Sequence, residues 1–322
     1  MKTVDTKYKP TPWLIGPNTH TVWGMRFRPR SRLECKREQF DFCDGGNTVL
    51  DWFEKGDTAD NAPVLVIVHT LGGGTREPCV NNMAEAVVKK GWRAVVANCR
   101  GCSGAKITSS RLYNAKEIDD LQNIINHVKE SRKPKHVYLV GFSLGAMQTI
   151  EYSRVDGSVD AVACVSHTYH SIRGAEILEK PIQAKLYLPV IMEKLKASVK
   201  KCSFLNPEWK EGALKAKNLR EFDDALTTKT LGLKDHVEYY KLLAIYQKIP
   251  EIKVPLLILG SDDDPFTHQT LMPIKEVEES NNVVLVRTPE GGHVSFIEGM
   301  NGQRSLVERV LPDWFEAVSK SK

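Results

Sequence analysis

From about residue 63 onward, short and nearly unbroken apolar runs alternate with longer stretches in which apolar side chains recur every three or four positions. Residues 63–70, PVLVIVHT, are β-branched and almost continuous, the pattern of a strand covered on both faces within a parallel sheet. After the glycines at 72–74, Val80, Met83, Ala84, Val87 and Val88 fall at helical spacing and stop at Gly91, which predicts an amphipathic helix closed by a glycine. The alternation then predicts a strand over 92–99, a helix with Ile118, Leu121, Ile125 and Val128 on one face, a strand over 135–140, a helix from Leu144 and a strand over 161–165. Upstream, residues 37–44 and 47–55 read as two strands joined through Gly45 and Gly46, a hairpin signal.

Between residues 168 and 250 this rhythm gives way to Lys- and Glu-rich helical patterns without a buried-strand run, and it resumes at PLLILG, 255–260. A further helix, a strand over 283–287 and a last helix over 303–318 complete the pattern. Repeated strand and helix units predict an α/β fold with a mostly parallel, doubly wound sheet. The expected organisation is a single domain over 1–322, with an inserted helical cap at 168–250 and an N-terminal arm at 1–36.

Composition narrows the classes. A chain that is 41% hydrophobic and 26% charged is neither disordered nor fibrous. The formal charge of +5 comes from 45 basic and 40 acidic residues spread along the chain, so no nucleic-acid partner is expected. The opening MKTVDTKYKPTP has no apolar signal core, and the seven cysteines are odd in number and irregularly spaced. These features predict a reducing compartment, the cytoplasm. Cys99 and Cys102 form a C-x-x-C without a second pair or histidines at ligand spacing, and read as ordinary thiols. In the arm, Trp13, Leu14, Trp23, Met25 and Phe27 stand among Arg26, Arg28, Arg30 and Arg32. This mixture suits peripheral contact with a lipid interface, or equally aromatics packed on the sheet with arginines in water. The sequence does not fix an oligomeric state.

The chemistry gathers at strand ends. GFSLG at 141–145 lies where a strand meets a helix. In a nucleophile elbow the serine occupies a strained turn, and small residues are needed two positions to either side. Ser143 is therefore the candidate nucleophile, and the N–H of Leu144, at the helix start, a candidate oxyanion donor. A serine nucleophile needs a base and an orienting acid, which in this topology follow the last strand and the strand before it. GGHVSF places His293 in the first position and SDDDPF offers Asp262, Asp263 and Asp264 for the second. Asp264, directly before Pro265, is preferred, with Asp263 second. The second oxyanion donor should come from the loop HTLGGGT, where Leu71 is the candidate. That loop lacks the Lys-Ser or Lys-Thr ending of a phosphate-binding P-loop.

PNTHTVWG, HTLGGGT, NCRGCSG with SSRLY, GFSLGA, REFDDALTTKTLG with EYY, IKVPLLILGSDDDPF and GGHVSFIEG together resemble the YheT-type branch of the α/β-hydrolases. That branch includes membrane-anchored animal acylglycerol and phospholipid lipases and fungal medium-chain ethyl ester synthases. The likeness covers nearly the whole chain. It implies Ser143 as nucleophile, His293 as base, Asp264 as acid, and carboxylic esters as substrates. Two positions depart from the pattern: Thr70 replaces a glycine at the start of the oxyanion loop, and Lys116 replaces a glycine after the tyrosine. The expectation is a serine esterase or lipase acting on medium- or long-chain acyl esters or lipids, without metal or organic cofactor. An acyl-ester:alcohol acyltransferase and an inactive binding protein on the same fold are the alternatives.

Overall fold

A computed structural model describes residues 7–267 and 269–321; the first six residues of the expected arm lie outside them. Its strands are β1 (Lys36–Asp41), β2 (Asn47–Phe53), β3 (Val64–Val68), β4 (Arg93–Ala97), β5 (Val137–Phe142), β6 (Ala161–Val165), β7 (Leu256–Ser261), β8 (Val283–Thr288) and the short pair β9 (Ile297–Glu298) and β10 (Arg304–Ser305). The first eight form one sheet in the order β1-β2-β4-β3-β5-β6-β7-β8. β1 and β2 pair antiparallel, as does β2 with β4, and every pairing from β4 through β8 is parallel.

The apolar runs form these strands because both faces of the sheet are covered. Along β3, Val64, Val66 and Val68 pack into one core and Leu65 and Ile67 into the other, the two-residue alternation of a strand. The first core is closed by α3 (Asp119–Arg132) and α4 (Leu144–Val155), the second by α2 (Pro78–Lys89) and α13 (Leu306–Lys320). All five periodic positions of α2 are buried. Between them these helices make the three-layer α/β architecture expected from the sequence.

Element ends moved where local bonds outcompeted periodicity. β1 stops at Asp41 because Phe42 N–H turns to bond Gly46 O at 2.8 Å. The last helix starts at Leu306, not 303, because Arg304 and Ser305 pair with β9 and the Ser305 hydroxyl accepts from Val307 N–H, an N-cap.

Between β6 and β7 the chain builds α5 (Ser171–Leu178), α6 (Pro181–Leu186), α7 (Leu188–Lys201), α8 (Pro207–Lys215), α9 (Leu219–Phe222), α10 (Thr228–Leu231) and α11 (His236–Leu242), with a π-helical turn over Asp223–Thr227. These helices share a small core of their own around Met192, Val199, Cys202, Phe222 and Leu226. α12 (Ile274–Glu278) joins β7 to β8.

The N-terminal segment, with α1 (Pro17–Val22) and a π-helical turn over Trp23–Phe27, binds the 291–308 region. Trp13 and Trp23 meet edge to face at 4.7 Å and donate to Met300 O and Gly302 O. Arg28 does not belong with the surface arginines: it is buried, donates to Gln303 O at 3.0 Å and pairs with Glu308 of α13. Arg26, Arg30, Arg32 and Phe27 are exposed. No helix among the described residues is long and apolar enough to cross a membrane.

Candidate active site

Ser143 sits between the last residue of β5 and the first of α4, with φ 52° and ψ −114°. For a residue with a side chain this backbone is strained, and it is held by Ser143 N–H donating to Val165 O at 2.9 Å. Helix and strands approach so closely that a Cβ on Gly145 would lie 2.5 Å from His69 O, and one on Gly141 would overlap the Gly145 carbonyl. That crowding is the physical reason for glycine at both ends of GFSLG.

His293 lies in the loop after β8, its Nε2 2.7 Å from Ser143 Oγ and its Nδ1 2.9 Å from Asp264 Oδ2. With Nδ1 donating to the carboxylate, Nε2 is left to accept from the serine hydroxyl. Asp264, after β7, is buried, and its Oδ1 also accepts from the N–H groups of Phe266 and Thr267 at 2.8 and 3.1 Å. The other two carboxylates face elsewhere. Asp262 pairs with Arg287 at 2.6 Å, and Asp263 Oδ1 accepts from Gly292 N–H at 3.0 Å, one residue before the histidine.

The His293 loop is fixed from three sides. His293 N–H donates to Thr21 Oγ1 at 2.9 Å, Val294 N–H to Ser166 Oγ at 2.9 Å, and the Phe266 ring meets the imidazole edge-on at 4.3 Å. Val294 and Phe296 have positive φ angles of 53° and 46°, so this loop holds its shape only because its surroundings impose it. Sequence reasoning missed Thr21, which stands in the PNTHTVWG segment but carries no local sign of a bond 272 residues away. It also missed Ser166, which directly follows β6.

Leu144 is the first residue of α4, so its N–H has no carbonyl within the helix. Leu71 lies in the turn after β3, in the wall of the same cavity as Ser143 and Leu144. The loop is tied down by Glu77, which accepts from Thr70 Oγ1 at 2.6 Å and from Thr70 N–H at 3.2 Å. The threonine that departs from the family pattern is therefore an anchor. His69 behind it accepts from Cys99 N–H on Nε2 and donates from Nδ1 to Thr70 O, and burial lowers its pKa, keeping it neutral. Burial likewise pushes His167, beside the elbow, down to about 3 and the Cys102 thiol up to about 12.

These groups open onto a cavity of about 1400 Å³. One side is formed by Val22, Met25 and Arg26 of the N-terminal segment, another by Leu178, Leu186, Val190, Ile191 and Leu195 of the helices between β6 and β7. Among the described residues no group of three histidine, cysteine or acidic side chains is arranged to hold a metal. The arrangement can move a proton from a serine hydroxyl to an imidazole beside a largely apolar chamber.

Comparison with known proteins agrees with this architecture. A family profile described as alpha/beta hydrolase fold matches residues 63–188. Phospholipase ABHD3 of Homo sapiens is 28% identical, with 98% of this chain and 80% of that protein covered. Escherichia coli YheT is 28% identical over 94% of this chain and 91% of its own. Among solved structures, the Pyrococcus furiosus esterase Pf2001 superposes with a TM-score of 0.56 at 16% identity, covering 97% of both chains, a likeness of fold. With its sheet order, elbow and relatives in hand, the chain has the α/β-hydrolase fold.

Proposed function

We propose that this protein is a serine esterase or lipase that hydrolyses medium- or long-chain acyl esters through an acyl-enzyme, with residues 168–250 acting as its cap. Ser143 Oγ attacks the ester carbonyl as His293 Nε2 takes its proton, and the carbonyl electrons move onto the oxygen to give a tetrahedral oxyanion. The N–H groups of Leu71 and Leu144 bind that oxyanion, and the N-terminus of α4 adds its dipole. Collapse expels the alcohol, which receives the proton from His293. Water, deprotonated by the same imidazole, then cleaves the acyl-enzyme and releases the acid. Asp264 holds the ring in its tautomer and stabilises the imidazolium.

The observation that carries this reading is the chain of contacts from Ser143 through His293 to Asp264, at 2.7 and 2.9 Å, on the edge of the cavity. The phospholipase name of ABHD3 and the esterase name of YheT support an ester substrate, and the apolar cavity wall supports an acyl chain of some length. The same wall favours transfer to an alcohol as the second reading, because apolar surroundings disfavour water as acceptor. A screen of p-nitrophenyl esters from about two to sixteen carbons, with fluorophosphonate labelling, tests the proposal. Labelling and turnover should both disappear in Ser143→Ala. Persistent hydrolysis by that variant would reject it. Product ratios of free acid to ethyl ester in graded ethanol separate hydrolysis from transfer.

A further inference from the structure

Three glycines and an acid follow Leu71, and together they shape the loop that carries it. Glu77 stands at the N-cap of α2, yet its carboxylate makes no cap bond to that helix. It turns back over the loop, where Oε1 accepts from Thr70 Oγ1 at 2.6 Å and Oε2 from the N–H groups of Thr70 and Gly74 at 3.2 and 3.4 Å. Lys194 of α7 brings its ammonium to 3.5 Å from Oε1. A carboxylate has about four acceptor sites, and three donors of the loop with one cation of α7 match them in number. The glycines make room for these neighbours. A Cβ on Gly73 would lie 2.1 Å from Glu77 Oε2, one on Gly72 2.9 Å from Lys194 Cβ, and one on Gly74 2.1 Å from Ser103 Oγ.

These bonds fix a peptide plane. Thr70 O accepts from Gly73 N–H at 2.9 Å and from His69 Nδ1 at 2.7 Å, while Thr70 N–H and Oγ1 are held by Glu77. Thr70 O and Leu71 N–H belong to one planar, trans peptide unit, so they point in opposite directions. Holding the carbonyl on one side aims the N–H to the other. Among the described residues neither Leu71 N–H nor Leu144 N–H meets an acceptor, and both residues line the cavity with Ser143. The far end of the loop is fixed separately by Thr75, whose N–H donates to Ser103 Oγ at 3.1 Å and whose hydroxyl donates to Asp51 Oδ2. With that end held, the bonds to Glu77, His69 and Gly73 decide how the Thr70–Leu71 peptide is turned.

We propose that Glu77 is a positioning residue for the oxyanion hole: through Thr70 it sets the direction of the Leu71 N–H, and through Lys194 it ties that direction to the cap. The role rests on the esterase reading above, since it needs an oxyanion to serve. Glu77 acts through Thr70 rather than on the substrate, which is why its carboxylate is turned onto the loop's own donors. Lys194 offsets the negative charge that Glu77 would otherwise place beside a developing anion. Because α7 also presents Val190, Ile191 and Leu195 to the cavity, one helix carries both the apolar wall and the cation that steadies the loop.

The test compares two ketones on the full chain. Octyl trifluoromethyl ketone takes Ser143 Oγ onto its carbonyl carbon and leaves an alkoxide in the oxyanion hole, whereas octyl methyl ketone binds without adding. Active sites are counted by complete fluorophosphonate labelling, so unfolded protein does not enter the comparison. Misplacing a reacting group by about 1 Å costs on the order of 10²-fold. Glu77→Ala should therefore weaken the trifluoromethyl ketone, and lower kcat on p-nitrophenyl octanoate, by about 10²-fold, with the methyl ketone and KM little changed. Glu77→Gln keeps an acceptor oxygen and should recover most of that loss. Thr70→Val should show the same pattern and Thr70→Ser should recover it; this pair carries the test alone if Glu77→Ala fails to fold. Lys194→Met should lose less than Glu77→Ala, and the double variant no more than Glu77→Ala alone, because both act through one carboxylate; losses that multiply would cut the tie to the cap. Equal losses on both ketones would reduce Glu77 to a packing role. A wild type that neither labels nor turns over esters would sink the esterase reading, whereas an active wild type with unimpaired Glu77 and Thr70 variants would sink the positioning role alone.

Discussion

Asp223 lines the cavity at the start of the π-helical turn Asp223–Thr227, and it predicts how stability should respond to pH. Desolvation raises its carboxyl against the pull of bonds from Thr227 Oγ1 at 2.7 Å and the Tyr240 hydroxyl at 2.8 Å. Its carboxyl stands at about 6 in the folded chain against an ordinary value of 3.8. Below pH ~4 both folded and unfolded chains carry the proton, and the group is neutral in the balance. Between the two values the unfolded chain releases its proton while the folded chain keeps it, so unfolding is favoured and stability falls as pH rises. Above pH ~6 the loss is complete and constant. Two pKa units correspond to about 3 kcal/mol, the most that ionising this acid can cost. In Asp223→Asn the cost is absent: Thr227 can still donate to the amide oxygen, and the Tyr240 hydroxyl can rotate to accept from the amide nitrogen. The variant should therefore gain on the wild type by up to about 3 kcal/mol between pH 4 and pH 6.5, and no further above that. With an unfolding entropy of roughly 2 cal/mol/K per residue, this is on the order of 4 °C in Tm. Urea unfolding of both proteins at half-unit pH intervals measures it. A stability difference that stays flat from pH 4 to 7, or one in which the asparagine variant loses ground, would refute the argument.

The remaining predictions concern the site and its supports. Ser143→Ala should lower kcat on the order of a millionfold while the circular dichroism spectrum and Tm stay near wild type, since the hydroxyl does no packing. Asp264→Asn should cost about 10⁴ in kcat by disturbing the tautomer, and Asp263→Asn less than about tenfold, because Asp263 accepts from Gly292 N–H and not from the imidazole; the opposite ranking in steady-state kinetics would exchange their roles. Thr21→Val keeps the shape but leaves the buried His293 N–H without its acceptor, which should cost about 1–3 kcal/mol and reduce kcat/KM, with Thr21→Ser restoring both in melting and kinetic assays. Arg28→Ala should destabilise by about 3–5 kcal/mol, because Glu308 is left as a buried unpaired acid, and Arg28→Met with Glu308→Met should recover much of that loss in urea titrations.

The sheet was legible because a strand buried on both faces must be apolar at every position, so β3, β5, β6 and β7 each left an unbroken run. The helices on either side left the complementary signal, three- and four-residue spacing, and the glycines of GFSLG and GGHVSF marked the turns where the backbone needed them. The supports of the site left no such trace. A buried hydrogen bond between Thr21 and His293 is made by two ordinary residues whose proximity exists only after the sheet has formed. Arg28 reads as one member of a basic stretch, and only the position of α13 turns it into half of a buried pair.

The helices between β6 and β7 show where composition says least about position in the fold. Counted along the chain, their lysines and glutamates suggest a solvated surface with little apolar character. In space α7 has three kinds of neighbour. α7 turns Met192 and Val199 into a small core shared with α8, presents Val190, Ile191 and Leu195 to the cavity, and leaves Glu193 and Lys200 in water. Leu188, Ile191, Met192, Leu195 and Val199 recur at three- and four-residue spacing, so one apolar stripe serves core and chamber together, with Val190 off it. The chamber wall thus has no periodic signature of its own. It can be recognised only once the elbow shows where a substrate must lie, and this is also why Asp223, inside a segment that reads as surface, gave no sign in the sequence of facing the cavity.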